Sequence, residues 1–291
     1  MLSSLLIVLG AAAATTWAHT CPVADTSIVA HSGTPVGQIE AHNGFDMYIS
    51  KPQGNATKAV LYLTDVFGIQ LAENKLQSPP PPPSSVRDQV HSPAHSLTAD
   101  SLADSFARAG FLTVAPDLFN GKPAPGDINV PGFNTTAFLN DHGPAQTDPI
   151  VAAGIAYIRS LGITRVGATG YCFGGRYAFR AGGNLTTTSI RPGQGARAVF
   201  AAHPSMLGDE EIAAIQGPAS VAAAETDALM PAARRTEITA LLQNSGQEYG
   251  FAVYGGTSHG FGVRVNVTDP RQKFAKEEAF LQAARWLSVW L

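Results

Sequence analysis

The chain has 291 residues, of which 45% are hydrophobic and 14% charged, and its formal net charge is −3. This length and apolar content are sufficient to bury one large core, which predicts a single domain over residues 19–291. Because the chain has no dense cluster of Lys and Arg, its charge pattern argues against nucleic acid or an anionic membrane as a partner and favours small-molecule chemistry.

The first eighteen residues have the features of a secretory signal peptide. A short apolar core runs from Leu5 to Ala14 and is followed by Thr16-Trp17-Ala18, where small residues suit signal peptidase. We predict cleavage after Ala18, export, and no association of the mature chain with the membrane. The alternative is a membrane anchor, but the apolar run is well short of the roughly 20 residues that span a bilayer.

Four Asn-x-Thr sequons agree with export. Because such sequons accept glycans in secreted chains, we expect the mature protein to be an extracellular glycoprotein. The candidate acceptors are Asn55, Asn134, Asn184 and Asn266.

Strand-like and helix-like segments alternate along the rest of the chain. Strands are predicted at short apolar runs, which are Phe45–Ser50, Ala59–Thr64, Phe111–Ala115, Arg165–Tyr171, Ala198–Ala202, Ser220–Ala224 and Phe251–Tyr254. Helices are predicted at Leu102–Ala109, Pro149–Ser160, Gly174–Ala181, Pro231–Asn244 and Pro270–Leu291. This alternation predicts an α/β fold in which helices cover both faces of a mostly parallel sheet.

Residues 77–101 interrupt this pattern. They contain five consecutive prolines, Pro79–Pro83, and then polar residues without periodicity, so we expect no regular structure there. Joining Leu76 directly to Leu102 would create one uninterrupted amphipathic helix that ends at Gly110. We therefore interpret the stretch as a translated intron, and the alternative is a disordered loop inserted near the site.

The segment Gly170-Tyr171-Cys172-Phe173-Gly174-Gly175 joins a predicted strand to a predicted helix. A Gly-x-nucleophile-x-Gly turn of this kind places the central side chain on a sharp, strained corner at the C-terminal edge of a sheet. Glycines are needed because a Cβ beside the corner would collide with the neighbouring strand or helix. Cys172 is therefore the predicted nucleophile.

An acid and a histidine follow the cysteine along the chain. Asp227 comes after the apolar run Ala219–Ala224, and His259 comes after the run Phe251–Tyr254. Nucleophile, acid and histidine in this order is the succession expected of an α/β-hydrolase. We predict Asp227 as the acid, in preference to the nearby Glu225, because Asp227 better suits the turn after the strand.

The chain has only two cysteines, Cys21 and Cys172. Thiols of exported chains meet oxidising conditions and tend to pair. A disulfide between these two would consume the predicted nucleophile, but a glycine-bracketed corner is an unusual place for a structural bridge. We therefore expect Cys172 to be free and Cys21 to be free or paired between chains.

Five motifs occur in succession along the chain. They are Asp65-Val66-Phe67-Gly68, Ala115-Pro116-Asp117-Leu118-Phe119, Gly170-Tyr171-Cys172-Phe173-Gly174-Gly175, Glu225-Thr226-Asp227 and Ser258-His259-Gly260-Phe261. With these motifs the chain resembles the dienelactone hydrolase family, and in particular its eukaryotic, chiefly fungal, branch. The resemblance covers about Gly33–Leu291 apart from the insert. It implies an α/β-hydrolase fold and hydrolysis of a small ester or lactone with no metal or organic cofactor.

The chemistry of the predicted residues agrees with this activity. Cys172 as a thiolate would attack the carbonyl, His259 would carry the proton, and Asp227 would hold the imidazole in the required tautomer. The oxyanion formed on attack should be met by the backbone N–H groups of Phe173 and Val66. Water would then hydrolyse the acyl-thioester.

The resemblance also implies roles for charged residues near the thiol. Asp65 stands where bacterial members carry a glutamate that interacts with the catalytic thiol, so it is a candidate for control of thiol ionisation or for capping within its own loop. Bacterial members hold a substrate carboxylate with arginines. Here Phe119–Lys122 contains no arginine, and the arginine after the histidine motif is displaced by one place, to Arg264. These departures argue against a dienelactone as the substrate.

Residues beside the motifs or at the active edge of the sheet are candidates for the substrate pocket. They are Phe67, Tyr171, His203, Phe261 and Arg264. Packing is the alternative role of the aromatic side chains, and a structural hydrogen bond is the alternative for His203.

Two other functions use the same fold. One is a thioesterase or general carboxylesterase, and the other is a ligand-binding protein without turnover. The occupied nucleophile, acid and histidine positions favour an enzyme over a binding protein.

Overall fold

The computed structural model describes residues 35–69, 99–186 and 194–291, together with Val29. Its strands are β1 (Gln38–His42), β2 (Phe45–Ser50), β3 (Lys58–Leu63), β4 (Leu112–Pro116), β5 (Arg165–Tyr171), β6 (Val199–Ala202), β7 (Ala219–Thr226) and β8 (Tyr249–Ser258). They form one sheet in the order β1-β2-β4-β3-β5-β6-β7-β8. Strand β2 pairs antiparallel with β1 and β4, and all other neighbours are parallel. The predicted mostly parallel sheet is confirmed.

Within the described ranges, seven helices connect or follow the strands of this sheet. They are α1 (Ala99–Arg108), α2 (Thr135–Asp141), α3 (Pro144–Ser160), α4 (Phe173–Gly182), α5 (Asp209–Ala213), α6 (Ala232–Asn244) and α7 (Pro270–Trp290). Five of them match predicted helices to within a few residues. Helices α2 and α5 and strand β1 were not predicted, because each has seven residues or fewer and carries no sustained apolar period.

Two apolar clusters lie on opposite faces of the sheet, so helices cover both faces as predicted. One cluster contains apolar side chains of α2, α3, α4, α5 and α6, and it also includes Cys172 and Phe173. The other contains side chains of α1 and α7, and it includes Tyr171 and Phe261. Tyr171 is the last residue of β5 and Cys172 stands at the corner after it, and the two enter different clusters although they are adjacent.

Several predictions concern residues outside the described part of the chain. These are the signal peptide at 1–18, Cys21, and residues 77–98 of the insert. The described part does correct the end of the insert, since α1 begins at Ala99 and residues 99–101 are therefore helical. Within the described residues, no helix combines the length and the apolar content that crossing a bilayer requires.

Candidate active site

Cys172 occupies the corner between β5 and α4. Its backbone has φ 51° and ψ −114°, and α4 begins at the next residue. A positive φ is costly for a residue with a Cβ and is retained where the surrounding structure imposes it, commonly at functional sites. The Cys172 N–H donates to the carbonyl of Ala202 at 3.1 Å, which fixes the corner to β6. The side chain is almost buried and is free of any disulfide.

The glycines of this corner have the steric role that the sequence predicts. A Cβ on Gly170 would lie 2.7 Å from the backbone nitrogen of Gly175, and a Cβ on Gly174 would lie 2.6 Å from the Thr64 carbonyl oxygen. A Cβ on Gly175 would meet the Cβ of Pro204 at 2.6 Å. The corner therefore packs at distances that only glycine permits.

The three predicted triad residues lie in one hydrogen-bonded row. His259 Nε2 lies 3.0 Å from Cys172 Sγ, and His259 Nδ1 lies 2.8 Å from Asp227 Oδ2. Asp227 follows β7 closely and His259 follows β8, so parallel neighbouring strands deliver both side chains to the same edge of the sheet. The Asp227 side chain is fully buried, whereas His259 is about one quarter exposed. Glu225 instead accepts a hydrogen bond from the Gly256 N–H and is exposed.

His259 is held in its protonated form by its neighbours. Burial alone would lower its pKa, but hydrogen bonds to Asp227 and Cys172, and the charges of both, raise the pKa of His259 to about 10. Asp227 uses its other oxygen, Oδ1, to accept the Leu229 N–H at 2.9 Å. The carboxylate is thus fixed on both sides, and the imidazole can carry a proton beside the sulfur.

The two backbone groups predicted to bind an oxyanion, those of Val66 and Phe173, lie in adjoining segments. Phe173 is the first residue of α4, where the amides of a helix have no intrahelical partner and carry partial positive charge. The Gly174 N–H donates to the Thr64 carbonyl at 3.0 Å, which ties this helix end to the loop containing Val66. Among the hydrogen bonds of the described residues, none uses the N–H of Val66 or Phe173.

Within the described residues, Asp65 has no hydrogen bond to the Cys172 thiol. The structure therefore does not support its predicted role in thiol ionisation. The buried carboxylate accepts the Phe67 N–H through Oδ1 at 3.1 Å and forms an ion pair with Arg264 through Oδ2. The Arg264 guanidinium also lies over the Phe67 ring, 4.3 Å from its centroid. Asp65 therefore caps its own loop, which was the alternative prediction, and joins that loop to the segment after His259.

Three of the predicted pocket residues are fully packed and present no surface to a substrate, which corrects their assignment. Tyr171, His203 and Phe261 are each at most 2% exposed. The His203 ring packs edge-on against His259 at 5.0 Å and against Phe261 at 5.5 Å between ring centroids. Together they form a buried layer behind the imidazole of His259. Phe67 is also buried, whereas the side chain of Arg264 is about one quarter exposed.

The predicted structural hydrogen bond of His203 is also absent. Neither ring nitrogen has a partner within the described residues. Burial, and then the charges of His259 and Arg264, hold the pKa of His203 well below its usual range. The ring is thus a neutral packing element.

This burial predicts a specific acid sensitivity. In the native state His203 stays neutral, while in the unfolded chain it binds a proton below its ordinary pKa of roughly 6.5, so stability falls as pH falls through that value. At pH 5 the loss is at most about 2 kcal/mol. We expect His203→Phe to lose less stability than the wild type between pH 7.5 and pH 5 in urea unfolding experiments. Identical pH dependence in the two proteins would show that His203 is protonated when folded.

Ser205 is a site residue that the sequence analysis missed. It is 3% exposed, and its Oγ lies 3.1 Å from Cys172 Sγ. The available signal was its position three residues after the end of β6, which is the strand next to β5 in the sheet. Within the same segment, Ala201–Ser205, His203 was predicted as a site residue instead, because a histidine is the more usual catalytic group.

Three of the four candidate glycan acceptors are exposed, namely Asn55, Asn134 and Asn266. Asn184 is half-buried, and Thr186 of its sequon is buried. Within the described ranges, no group of three or more His, Cys, Asp or Glu side chains could hold a metal ion.

Comparison with known proteins places this geometry in a family. The model of the dienelactone hydrolase family matches residues 95–291. Hydrolase pyvD of Aspergillus violaceofuscus is 34% identical over 263 residues, covering 90% of this chain and 93% of its own. Hydrolase tropI of Talaromyces stipitatus is 31% identical over 270 residues, again covering 90% and 93%.

Solved structures agree on the fold. The thermophilic esterase of Thermogutta terrifontis, with propionate bound, has a TM-score of 0.59 at 15% identity and covers 88% of this chain and 94% of its own. At that identity the similarity shows only the α/β-hydrolase fold. The family assignment rests on the sequence matches. The chain belongs to the dienelactone hydrolase family, in its fungal branch, and is a hydrolase of carboxylic esters or lactones.

Proposed function

We propose that this hydrolase cleaves a small ester or lactone with Cys172 as the nucleophile, through an acyl-thioester intermediate. The observation that carries the proposal is the unbroken row of contacts from Asp227 through His259 to the Cys172 sulfur, at 2.8 and 3.0 Å. Such a row is the recurring arrangement of enzymes that activate a nucleophile with an oriented histidine.

In the first step, the Cys172 thiolate attacks the substrate carbonyl carbon while His259 is protonated. The carbonyl electron pair moves to oxygen, and the N–H groups of Val66 and Phe173 are available to donate to it. When the intermediate collapses, the carbon–oxygen bond to the leaving group breaks, and His259 gives its proton to the departing alkoxide. The acyl group is then a thioester on Cys172.

In the second step, neutral His259 takes a proton from water, and the resulting hydroxide attacks the thioester carbonyl. The carbon–sulfur bond breaks, the sulfur leaves as a thiolate, and the acid product is released. Asp227 keeps the imidazole oriented in both steps and stabilises its protonated form. Every proton movement in this cycle passes through one ring, whose raised pKa suits it to stay protonated beside an anionic sulfur.

A substrate without a carboxylate fits this site best. Arg264 is the arginine that follows the histidine motif, and its charge is already compensated by the buried Asp65. A substrate carboxylate would have to compete with that ion pair. We therefore propose a neutral ester or lactone, in line with the missing arginine in Phe119–Lys122.

A substrate panel on the purified mature chain tests this proposal. It compares an enol-lactone bearing a carboxylate with its methyl ester, a p-nitrophenyl ester and an acyl thioester. We expect a higher kcat/KM for the neutral lactone or ester than for the carboxylate form. A preference for the carboxylate form would contradict the neutral-substrate assignment, and a preference for the acyl thioester would identify a thioesterase.

Alkylation separates an enzyme from a binding protein on the same fold. If Cys172 is an activated nucleophile, iodoacetamide should modify it at pH 6 much faster than it modifies an ordinary thiol, most of which is protonated at that pH. Mass spectrometry of the Cys172 peptide distinguishes this reaction from alkylation of Cys21. Alkylation at the ordinary rate, together with no turnover of any ester, would favour a ligand-binding protein.

We further propose that the chain is secreted after cleavage at Ala18 and acts outside the cell. This proposal is supported by the apolar core of residues 5–14 and by the exposed sequons at Asn55, Asn134 and Asn266. N-terminal sequencing of the protein recovered from culture medium should begin at His19. Retention of the full-length chain inside the cell would contradict it.

A further inference from the structure

The side chain of Ser205 lies against the sulfur of Cys172. Its Oγ lies 3.1 Å from Sγ, and this is the only hydrogen bond of that hydroxyl within the described residues. The Ser205 N–H also donates to the Cys172 carbonyl at 2.9 Å. The serine is therefore fixed to the nucleophile by both its main chain and its side chain.

The segment that carries Ser205 is held in an unusual conformation. His203 and Met206 both have positive φ, 37° and 53°, although neither is glycine. The His203 N–H donates to the Ala222 carbonyl at 2.7 Å, and Pro204 packs where Gly175 leaves room for it. Two strained residues on either side of a buried serine are retained because the surrounding contacts impose them, and the result is a hydroxyl directed at the sulfur.

The direction of the Ser205 hydrogen bond follows from the other groups at the sulfur. A protonated His259 donates from Nε2 on one side, so an anionic sulfur has further lone pairs free to accept. Asp65, which the family resemblance places near the thiol, uses its oxygens for the Phe67 N–H and for Arg264. Among the described residues, Ser205 is thus the side chain that can donate to the sulfur in addition to His259.

We propose that the Ser205 hydroxyl donates a hydrogen bond to the Cys172 thiolate and holds that thiolate in position for attack. This makes Ser205 a positioning residue, and the inference rests on the proposed role of Cys172 as nucleophile. A hydrogen bond to a charged acceptor is stronger than one to a neutral acceptor, so it favours the anionic sulfur over the thiol.

The same hydrogen bond serves both halves of the cycle. When sulfur forms its bond to the acyl carbon, the negative charge moves to the carbonyl oxygen and the hydrogen bond to sulfur weakens. When water displaces the acyl group, the sulfur leaves with its electron pair and again accepts from Ser205. No proton is transferred to or from the serine in either step.

In the part of the chain that the structure describes, few charged or titratable groups surround the sulfur. His259 contacts it directly, and Asp227 acts through His259. His203 packs behind His259 and is neutral, because burial lowers its pKa. Asp65 and Arg264 compensate each other. A change in the pH dependence of the sulfur after removal of the Ser205 hydroxyl would therefore be due to the hydroxyl itself.

The test measures the alkylation rate of Cys172 by iodoacetamide from pH 4 to pH 9 in the full mature chain. Ser205→Ala is compared with the wild type and with Ser205→Thr, which keeps a hydroxyl. Ser220→Ala is the matched control, since Ser220 is a buried serine on β7 that accepts from Gln282. Circular dichroism verifies that each variant is folded, and peptide mass spectrometry excludes the signal of Cys21.

We expect the midpoint of the rate profile to rise by about one pH unit in Ser205→Ala, since a hydrogen bond to a charged group is worth about that much. Accordingly kcat/KM should fall about tenfold at pH values well below the wild-type midpoint and approach the wild-type value above the midpoint of the variant. Ser205→Thr should keep a profile near the wild type, and Ser220→Ala should be unchanged. A Ser205→Ala profile that coincides with the wild type would overturn the proposal.

Failure of this inference is distinguishable from failure of the proposed function. If Cys172→Ala abolishes activity and the wild-type thiol is alkylated rapidly at pH 6, but Ser205→Ala leaves the profile unchanged, only the role of Ser205 is refuted. If Cys172→Ala retains full activity, the nucleophile assignment is wrong, and the role of Ser205 falls with it.

Discussion

Replacement of Cys172 by alanine should lower the kcat/KM for ester hydrolysis by at least about 10⁴-fold. The physical reason is that the sulfur is the atom to which His259 Nε2 is hydrogen-bonded, on the side of the imidazole away from Asp227. Without the sulfur, the oriented imidazole has no nucleophile to activate. Only substrate binding and the oxyanion-binding amides then remain to favour reaction. Initial rates with the preferred substrate of the panel measure this loss.

The fold should survive this replacement, which makes the result interpretable. Alanine has a Cβ as cysteine does, so the strain of φ 51° at residue 172 is the same in both proteins. Cys172→Ser is the companion variant, because a hydroxyl has the same shape but is far less nucleophilic at neutral pH. Midpoints of urea unfolding near the wild-type value, with activity lost, would support the assignment. Retained turnover in a folded Cys172→Ala protein would contradict it.

Gly174→Ala should be strongly destabilising, with a loss of more than about 3 kcal/mol in the free energy of unfolding. The new Cβ would lie 2.6 Å from the Thr64 carbonyl oxygen and closer still to the Leu63 carbonyl, and both are backbone atoms of the sheet that cannot rotate away. Relief would require α4 to move away from β3.

That movement should also remove activity. The Gly174 N–H donates to the Thr64 carbonyl, so the contact fixes the distance between the loop of Val66 and the helix end at Phe173. Those two residues carry the amides proposed for the oxyanion, and loss of one such donor typically costs about 3 kcal/mol of barrier. Urea unfolding and initial rates on the same preparation measure both effects.

Gly255→Ala is the matched control for this prediction. Gly255 lies in β8, and no heavy atom of the described residues lies within 4 Å of the Cβ that alanine would add. The substitution should change stability by less than about 1 kcal/mol. Equal stability of Gly174→Ala and Gly255→Ala would show that α4 can shift freely, and it would refute the steric account of the corner.

The sequence was informative wherever a local rule fixes the structure. The corner at Cys172 is read from glycines that a strand-to-helix turn requires, and parallel strands that end at one edge of the sheet bring Asp227 and His259 together. Chain order alone therefore predicted the arrangement of these three groups, which the structure places at 2.8 and 3.0 Å.

What the sequence could not predict depends on contacts between distant segments. The pairing of Asp65 with Arg264 joins two loops that are 199 residues apart, and no local pattern encodes it. The hydroxyl of Ser205 reaches the sulfur because two residues around it adopt positive φ, which only coordinates reveal. The predicted interaction was that of Asp65 with the thiol. Instead Asp65 pairs with Arg264, and Ser205 contacts the sulfur.

The pocket assignments failed for a different reason. Tyr171 is adjacent to the nucleophile in sequence, but alternation along a strand sends its side chain to the opposite face of the sheet, into the core under α1 and α7. His203 follows β6 at the active edge, yet its ring turns inward behind His259. Proximity in sequence to a motif therefore predicted where these two residues lie in the fold, but not which way their side chains point.

The most direct test of the account is the identification of a covalent intermediate. The wild-type chain and His259→Ala would each be mixed with an excess of a p-nitrophenyl ester, quenched in acid within the first turnover, and analysed by peptide mass spectrometry. We predict that the wild-type protein carries the acyl group on Cys172 as a hydroxylamine-sensitive thioester, and that His259→Ala, which lacks the base, acquires it far more slowly. An acyl group on Ser205, or complete turnover with no acylated Cys172 at any time, would contradict the account.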